Sequence, residues 1–207
     1  MSLGFGLSDQ YAAATLTNAV DFGTIFGIGG QANDGEAKVE GDDWSFGYNL
    51  GLMWQATPQT RIGVAYRSRI KHKLEGDLNF KSSALVQGII AGAGGPFVKT
   101  DATANITLPD SLSVGFNHEI DSKWTVNGDG TWTNWSVLDE IRIEFDNPVQ
   151  PDNVTTTKWQ DSNRYSLGLT YSANDKWTWR GGVAFDESAN RSSAYLTPRV
   201  PDQYRTW

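Results

Sequence analysis

One segment of the chain, residues 44–55, alternates regularly between large apolar residues and small or polar ones. Its even positions from 44 to 54 hold Trp, Phe, Tyr, Leu, Leu and Trp, whereas its odd positions from 45 to 55 hold Ser, Gly, Asn, Gly, Met and Gln. A period of two is the pattern of a β-strand with two chemically different faces, and it excludes a helix. A tilted strand crosses a membrane in about 9–11 residues, so the pattern predicts a membrane-crossing strand.

Six further segments repeat the alternation and predict six further crossings. In one of them Ile62, Val64, Tyr66, Ile70 and Leu74 share a face. Seven is an odd number, whereas single-chain bacterial barrels have an even number of strands, and residues 204–207 have the pattern of the start of an eighth. We therefore expect either that the native sheet continues past both ends of the chain or that copies of the chain complete a barrel together. The six segments are residues 4–16, 61–74, 105–120, 124–132, 164–171 and 177–185.

The predicted connections alternate in length. The short ones are 56–60, 121–123 and 172–176, and the long ones are 17–42, 81–104, 138–158 and 187–204. Short turns on one side and long loops on the other are typical of an outer-membrane barrel. Aromatic residues at the predicted strand ends fit the girdles that mark both interfaces of such barrels; they are Trp44, Trp54, Trp124, Trp132, Tyr171 and Trp177. The prediction is an all-β fold, an antiparallel transmembrane β-barrel, with a soluble β-sandwich as the alternative.

Composition narrows the possible functions. Asp and Glu number 24 against 17 Lys and Arg, a formal net charge of -7, which does not suit a nucleic-acid binder because such proteins need a basic surface. The chain has no Cys and only two His, His72 and His118, which leaves little for a metal site or a catalytic triad. Ser68 and His72 share a predicted face, but that face is the one expected to meet lipid. We expect no enzyme activity, no metal and no cofactor.

Three groups of motifs resemble the FadL-type family of long-chain fatty-acid and hydrocarbon transporters of the Gram-negative outer membrane. The first is Gly-Tyr-Asn-Leu-Gly-Leu at 47–52, with Thr-Arg-Ile-Gly-Val-Ala-Tyr-Arg-Ser at 60–68 and Leu-Glu-Gly at 74–76. The second is Leu-Pro-Asp-Ser at 108–111 followed by Thr-Trp-Thr-Asn-Trp-Ser at 131–136. The third combines 164–168 and 183–186 with Val-Pro-Asp-Gln-Tyr-Arg-Thr-Trp at 200–207.

This resemblance implies a fold and a function. The family fold is a 14-stranded barrel plugged by an N-terminal hatch, of which residues 1–207 would supply about seven strands, without the hatch, the first strands or the last ones. Two copies of the chain would together supply fourteen strands. The family captures its ligand in an extracellular groove and passes it to a site in the lumen. The resemblance therefore implies an outer-membrane protein that carries long-chain fatty acids or related hydrophobic compounds and whose outer surface is covered by lipid or detergent. A structural or adhesive barrel is the alternative.

A basic stripe is the first candidate binding element. Five basic residues occupy odd positions in one predicted strand, opposite its apolar face, which would place them in the lumen: Arg61, Arg67, Arg69, Lys71 and Lys73. A cation beside an apolar chamber suits an amphiphile with a carboxylate head. Of these, Arg67, Arg69 and Lys71 are the predicted ligand contacts, and pairing with lumenal acids is the alternative.

Apolar residues within two long loops are the second candidate. Phe22 and Phe26 lie in the first loop, and Leu85, Val86, Ile89, Ile90 and Phe97 lie in a Gly-rich stretch of the second. Exposed apolar patches of this kind usually mark an interaction site. By the resemblance these loops would form the extracellular groove that captures fatty acid. The alternative is that the side chains pack on one another and order the loops.

Overall fold

A computed structural model describes residues 1–93 and 95–190 and the backbone of residues 205–206. The described residues form one antiparallel sheet of 12 strands. The strands are β1 (Ser2–Asp21), β2 (Asp34–Thr57), β3 (Thr60–Arg67), β4 (Ile70–Lys81), β5 (Thr100–Leu108), β6 (Ser111–Glu119), β7 (Trp124–Thr133), β8 (Glu140–Phe145), β9 (Asn153–Thr156), β10 (Ser162–Asn174), β11 (Trp177–Asp186) and β12 (Arg205–Thr206). The helices are α1 (Phe22–Ile25) and α2 (Ala84–Ala93), with single 3-10 turns at Gln31–Asn33 and Trp135–Val137. Within the described ranges, neither helix has the length and apolar composition that would let it cross a membrane.

The strands make seven successive crossings in an up-and-down order, as the alternation predicts. β1 and β2 are single long crossings, and β11 is the seventh. The crossings between them are interrupted once each, because β3 continues as β4, β5 as β6, β7 as β8, and β9 as β10. β12 pairs with the end of β11 and begins an eighth crossing. The described sheet is open, with β1 along one edge and β12 along the other.

The two faces of the sheet differ in chemistry. In one cross-strand row Phe5 pairs with Leu50, and Leu50 pairs with Tyr66, so that large apolar side chains cover one face of the sheet, which we call the outer face. Trp44 and Trp54 bound this apolar band on β2 and are both exposed. The distance from Trp44 to Trp54 is about 33 Å along the strand, at ~3.3 Å for each residue step. A strand tilt of about 40° reduces this to ~25 Å, the height of a barrel's lipid-facing band. The opposite, inner face carries small and polar residues in the alternate rows, such as the row of Gly4, Gly51 and Ala65.

The long connections are shorter than predicted, because strand pairing continues far beyond the apolar band. β1 and β2 stay paired as far as Asp21 and Asp34, so only residues 22–33 form the first loop, and Trp44 lies well inside β2. In the second connection, residues 84–93 form α2 instead of an irregular loop. The segment predicted as a loop at 138–158 contains β8 and β9. Most of the predicted loop at 187–204 and the motif at 200–207 lie outside the described residues, except for the backbone of β12.

A β-bulge between β3 and β4 reverses the inward and outward positions in the second half of the third crossing, which the sequence pattern did not predict. Arg67 pairs with Asn49, and Glu75 pairs with Asp42, so seven residues (68–74) on one crossing face six (43–48) on β2. One extra residue exchanges the two faces of a strand. The expectation that five basic residues share one face is therefore wrong: Arg61 and Arg67 face inward, whereas Lys71 and Lys73 face outward. Correspondingly, the apolar even positions from 70 onward turn inward, away from the face of Tyr66.

Hydrogen bonds from side chains stabilise the bulge, where the regular backbone hydrogen bonds between the strands are interrupted. The Tyr48 amide donates to Ser68 Oγ at 2.9 Å, and the Ser68 amide donates to the Tyr48 carbonyl at 2.9 Å. The Ser45 hydroxyl donates to the Lys71 carbonyl at 2.6 Å. Gly47 is needed there, because a Cβ on it would lie 2.8 Å from the Ile70 side chain. The polar residues at 45 and 68 thus satisfy backbone groups that the extra residue leaves unpaired.

Candidate functional site

The inner face becomes apolar where the strands extend past the lipid-facing band on the side of the long loops. A cavity of about 370 Å³ lies against this face. Its walls are mostly apolar and include Leu16, Val20, Val39, Leu78, Phe80 and Phe97, whereas Asn18, Gln150, Asp152 and Asn153 form a polar part of the lining. Leu16 pairs with Val39, and Val39 pairs with Leu78, so three neighbouring crossings contribute one row. Barrel interiors are usually polar, so an apolar inner surface indicates a site for a hydrophobic molecule.

A smaller cavity of about 40 Å³ continues this apolar surface toward the membrane. Leu16 and Val39 line both cavities, and Leu74, Ile106 and Ile143 line the smaller one. Leu74 reaches the inner face because of the bulge. Ile106 reaches the same face because β5 stays in register with β4, where it pairs with His72. The bulge therefore helps to build the apolar surface.

Four phenylalanine rings pack together at one side of the larger cavity, and two of them, Phe80 and Phe97, line it. Phe22 contacts the rings of Phe26, Phe80 and Phe97 at centroid distances of 5.9, 6.5 and 5.3 Å, and it is completely buried. Phe97 also contacts Phe80 at 5.6 Å and Phe26 at 6.1 Å. Edge-to-face contacts such as those of Phe97 are favourable ring geometries. Gly35 on β2 leaves room for the Phe22 ring, since a Cβ there would approach it to 2.6 Å.

A helix cap fixes the loop that carries Phe22. The Asp21 carboxylate accepts from the Thr24 amide at 2.8 Å and from the Thr24 hydroxyl at 2.7 Å. These two hydrogen bonds lower the pKa of Asp21, a group on the exposed loop, below its ordinary value of 3.8. An aspartate at this position satisfies amides that a helix N-terminus leaves unpaired.

The predicted apolar contacts divide into wall and support residues. Phe97 lines the larger cavity, whereas Phe22 and Val86 are completely buried and expose no surface for a ligand. Ile89 and Ile90 are half-buried on α2, and Leu85 remains 59% exposed. The alternative weighed from the sequence, that these side chains order the loops, describes the packing of Phe22 and Val86. Their role in ligand binding stays a prediction.

The predicted basic contacts are brought to three different places. Arg67 lies on the inner face, and the described residues give it no ion pair. Arg69 lies in the bulge and pairs with the buried Asp110 at 3.0 Å. Lys71 lies on the outer face and cannot contribute to a lumenal carboxylate site in this register.

His72 also differs from its predicted placement. It is 3% exposed and lies on the inner face rather than the lipid face, with Nδ1 2.9 Å from the Asp43 carboxylate. Its Nε2 is buried and has no hydrogen-bond partner, so no serine hydroxyl contacts this ring among the described residues. Nor do those residues contain a group of three His, Asp or Glu side chains that could hold a metal.

Sequence reasoning missed most of the cavity wall. Residues 35–41 alternate with the opposite polarity to 44–54: the odd positions are Gly, Ala, Val and Gly, and the even positions 36–42 are charged. This reversed alternation indicates that the strand continues beyond the lipid, where its outer face becomes charged and its inner face becomes apolar. The missed wall residues on β1, β2 and β4 are Leu16, Val20, Val39, Leu78 and Phe80.

The meander of strands, the lipid-facing apolar band and the girdle residues define a transmembrane β-barrel wall. The family model described as outer membrane protein transport protein (OMPP1/FadL/TodX) matches residues 1–207. The chain belongs to this family. The sequence predictions of family, barrel fold and outer-membrane location are thereby confirmed.

Individual relatives agree with this assignment. The "Long-chain fatty acid transport protein" of Escherichia coli O6:H1 is 29% identical over 217 residues, covering 100% of this chain and 46% of that protein. The "47 kDa outer membrane protein" of Pasteurella multocida is 32% identical over 192 residues, covering 85% of this chain and 41% of that protein. This chain thus spans less than half the length of these two relatives.

Solved structures show the same fold. A Pseudomonas aeruginosa FadL homologue superposes with a TM-score of 0.81 at 24% identity, covering 99% of this chain and 50% of the other. The Ralstonia pickettii toluene transporter TbuX gives a TM-score of 0.63 at 24% identity, covering 89% and 51%.

Proposed function

We propose that the protein carries long-chain fatty acids or related hydrophobic compounds across the outer membrane and binds them at the apolar inner face between β1, β2 and β4. The observation that carries this proposal is the 370 Å³ cavity with mostly apolar walls on the face of the sheet that meets the lumen. Family membership supports it, because relatives are named for fatty-acid transport and for toluene transport.

The location of the cavity suits capture from outside. It lies beyond the lipid-facing band, under the loop that carries Phe22 and beside Phe97. A hydrophobic molecule there leaves water without first entering the bilayer. Burial of apolar surface contributes about 25 cal/mol per Å², so a ligand of this size gains several kcal/mol from the cavity walls.

A pair of adjacent substitutions on β1 tests the proposal. Leu16 faces the cavity, and its neighbour Thr15 points to the outer face opposite Glu40. In the detergent-refolded chain, Leu16→Asn should weaken binding of radiolabelled oleate by about five- to a hundredfold, because burying an unpartnered amide costs about 1–3 kcal/mol. Thr15→Asn introduces the same residue on the other face and should leave binding unchanged. Equal binding by both variants contradicts the proposed site.

Arg67 is the proposed partner of a ligand carboxylate. Its side chain is exposed on the inner face. At ~3.3 Å per residue it lies about 23 Å along the strand from Leu74, which lines the smaller cavity. Arg67→Gln should weaken oleate binding several-fold and leave hexadecane binding unchanged. The matched control is Arg61→Gln, which lies on the same face near the short turn and bonds to Gln55 at 3.0 Å. Equal losses for both ligands would contradict recognition of the carboxylate by charge.

A barrel with only a structural or adhesive role is the rival function. It predicts no saturable binding of oleate, hexadecane or toluene to the wild-type chain. If the wild-type chain binds none of these compounds, the Leu16→Asn and Thr15→Asn variants cannot be compared. Binding to the wild-type chain is therefore measured first.

A further inference from the structure

The bulge places two lysines on the outer wall at the edge of the apolar band. Asp42 pairs with Glu75, and continuing that register sets Lys73 beside Trp44 and Lys71 beside Phe46. The hydrogen bond from Ser45 to the Lys71 carbonyl supports this placement. Trp44 and Phe46 are 60% and 74% exposed, as expected for side chains that meet lipid. Both lysine side chains therefore begin at the boundary between hydrocarbon and head groups.

The neighbouring strand makes the same part of the outer face polar. Lys71 pairs with Thr107 and Lys73 pairs with Asn105, so all four residues share one face of β4 and β5. We call these residues the outer polar patch. Its ammonium, hydroxyl and amide groups are all hydrogen-bond donors. On β2, by contrast, the same height is apolar, so the patch interrupts the lipid-facing band.

The charges around the patch leave one lysine uncompensated. Lys71 has no ion pair among the described residues, whereas Lys73 pairs with Glu75, one row further from the membrane. In that pair the side chains are 60% and 64% exposed, and exposed pairs contribute little stability. Asp42 and Glu144 lie in the same row as Glu75, so the acids near the patch are grouped around Lys73 and not around Lys71. In the row of Lys71 the acid is Asp9, which lies two strands away at about 10 Å, beyond Phe46.

We propose that the outer polar patch binds the phosphate of a phosphorylated lipid in the surrounding outer leaflet. Long lysine side chains lie along apolar surface and carry their ammonium group to the head-group level. There, Lys71 and Lys73 provide two positive charges, and Asn105 and Thr107 provide neutral donors for the remaining phosphate oxygens. Glu75 competes with the phosphate for Lys73. This site faces away from the lumen and does not depend on the proposed transport function.

Native mass spectrometry of the detergent-refolded chain, titrated with diphosphoryl lipid A, tests the proposal. Lys71→Gln should weaken binding about fivefold, which corresponds to the ~1 kcal/mol of one lysine near an anionic membrane surface. Lys73→Gln should weaken it less, because Glu75 already neutralises part of that charge. Glu75→Gln should strengthen binding, and this gain of affinity cannot come from misfolding.

A control variant and a series of ligands distinguish lipid binding at the patch from general attraction between lysines and phosphate. Lys81→Gln removes an exposed lysine from the same face of β4, about 26 Å along the strand from Lys73 at ~3.3 Å per residue, and should leave lipid A binding unchanged. Monophosphoryl lipid A should bind more weakly than the diphosphoryl form, and millimolar inorganic phosphate should not displace either. Equal affinity of the wild type, Lys71→Gln and Glu75→Gln overturns the proposal. Complete displacement by inorganic phosphate overturns its assignment to a lipid.

Discussion

Replacing Phe22 by alanine tests how the loop half of the wall is held together. Phe22 is 0% exposed and contacts three other rings at centroid distances between 5.3 and 6.5 Å. Removing a fully buried phenylalanine costs about 3–5 kcal/mol. The chain cannot refill the space from β2, because Gly35 presents no side chain there. The substitution should therefore destabilise the loop at 22–33 and the packing around Phe97.

Hydrogen–deuterium exchange measures this loss locally. A cost of about 3 kcal/mol corresponds to a more than hundredfold rise in the opening equilibrium of the loop. Peptides covering residues 22–33 should exchange about a hundredfold faster, whereas the exchange rate of peptides covering residues 44–54 in the lipid-facing band should not change. Ile25→Ala is the matched control, because Ile25 belongs to the same helix and is 50% exposed. Unchanged protection of 22–33 in Phe22→Ala would refute the claim that the aromatic cluster orders this loop.

Two further substitutions test the local geometry of the extended strands and the loop. Gly76→Ala should destabilise the chain toward urea by about 1–3 kcal/mol, because its Cβ would lie 1.8 Å from the Glu40 carbonyl oxygen. The control Gly88→Ala should not destabilise the chain, because a Cβ at this position on α2 has no atom within 4 Å. Asp21→Asn should abolish the pH dependence of the protection factor of the Thr24 amide, which is the exchange rate corrected for its intrinsic pH dependence. The wild-type cap is fully formed above pH 3.8 and is lost as pH falls through the lower folded pKa. Equal urea midpoints for the two glycine variants, or a pH-independent wild-type cap, would contradict these assignments.

The period-two pattern was sufficient to predict the seven crossings, and it predicted the outer face correctly for residues 44–54 but not for the part of the third crossing that follows the bulge. Residues 44–54 illustrate why: lipid on one side and lumen on the other require opposite chemistry at successive positions. The bulge was not predictable from alternation, because Arg67, Arg69 and Lys71 remain in step in the sequence. What changes the register is the bonding of Ser68 to the backbone of Tyr48, a partner 20 positions earlier.

The candidate site was predictable only in part for a related reason. Phe97 was found because an aromatic residue in a Gly-rich loop is conspicuous. Leu16, Val39 and Leu78 form one row only after β1, β2 and β4 are paired, and each is unremarkable within its own segment. Strand pairing, which brings distant positions together, is the information that local periodicity lacks.

Mass spectrometry of the small molecules that co-purify with the protein is the decisive experiment for ligand binding at the apolar inner face. The wild-type chain and the Thr15→Asn variant should both retain fatty acids or other hydrophobic compounds from the cell envelope. Leu16→Asn should be depleted of the same compounds by about fivefold or more at equal recovery of folded protein. Equal retention by all three proteins would contradict binding at the apolar inner face, and absence of any hydrophobic compound from the wild type would contradict the proposed transport function.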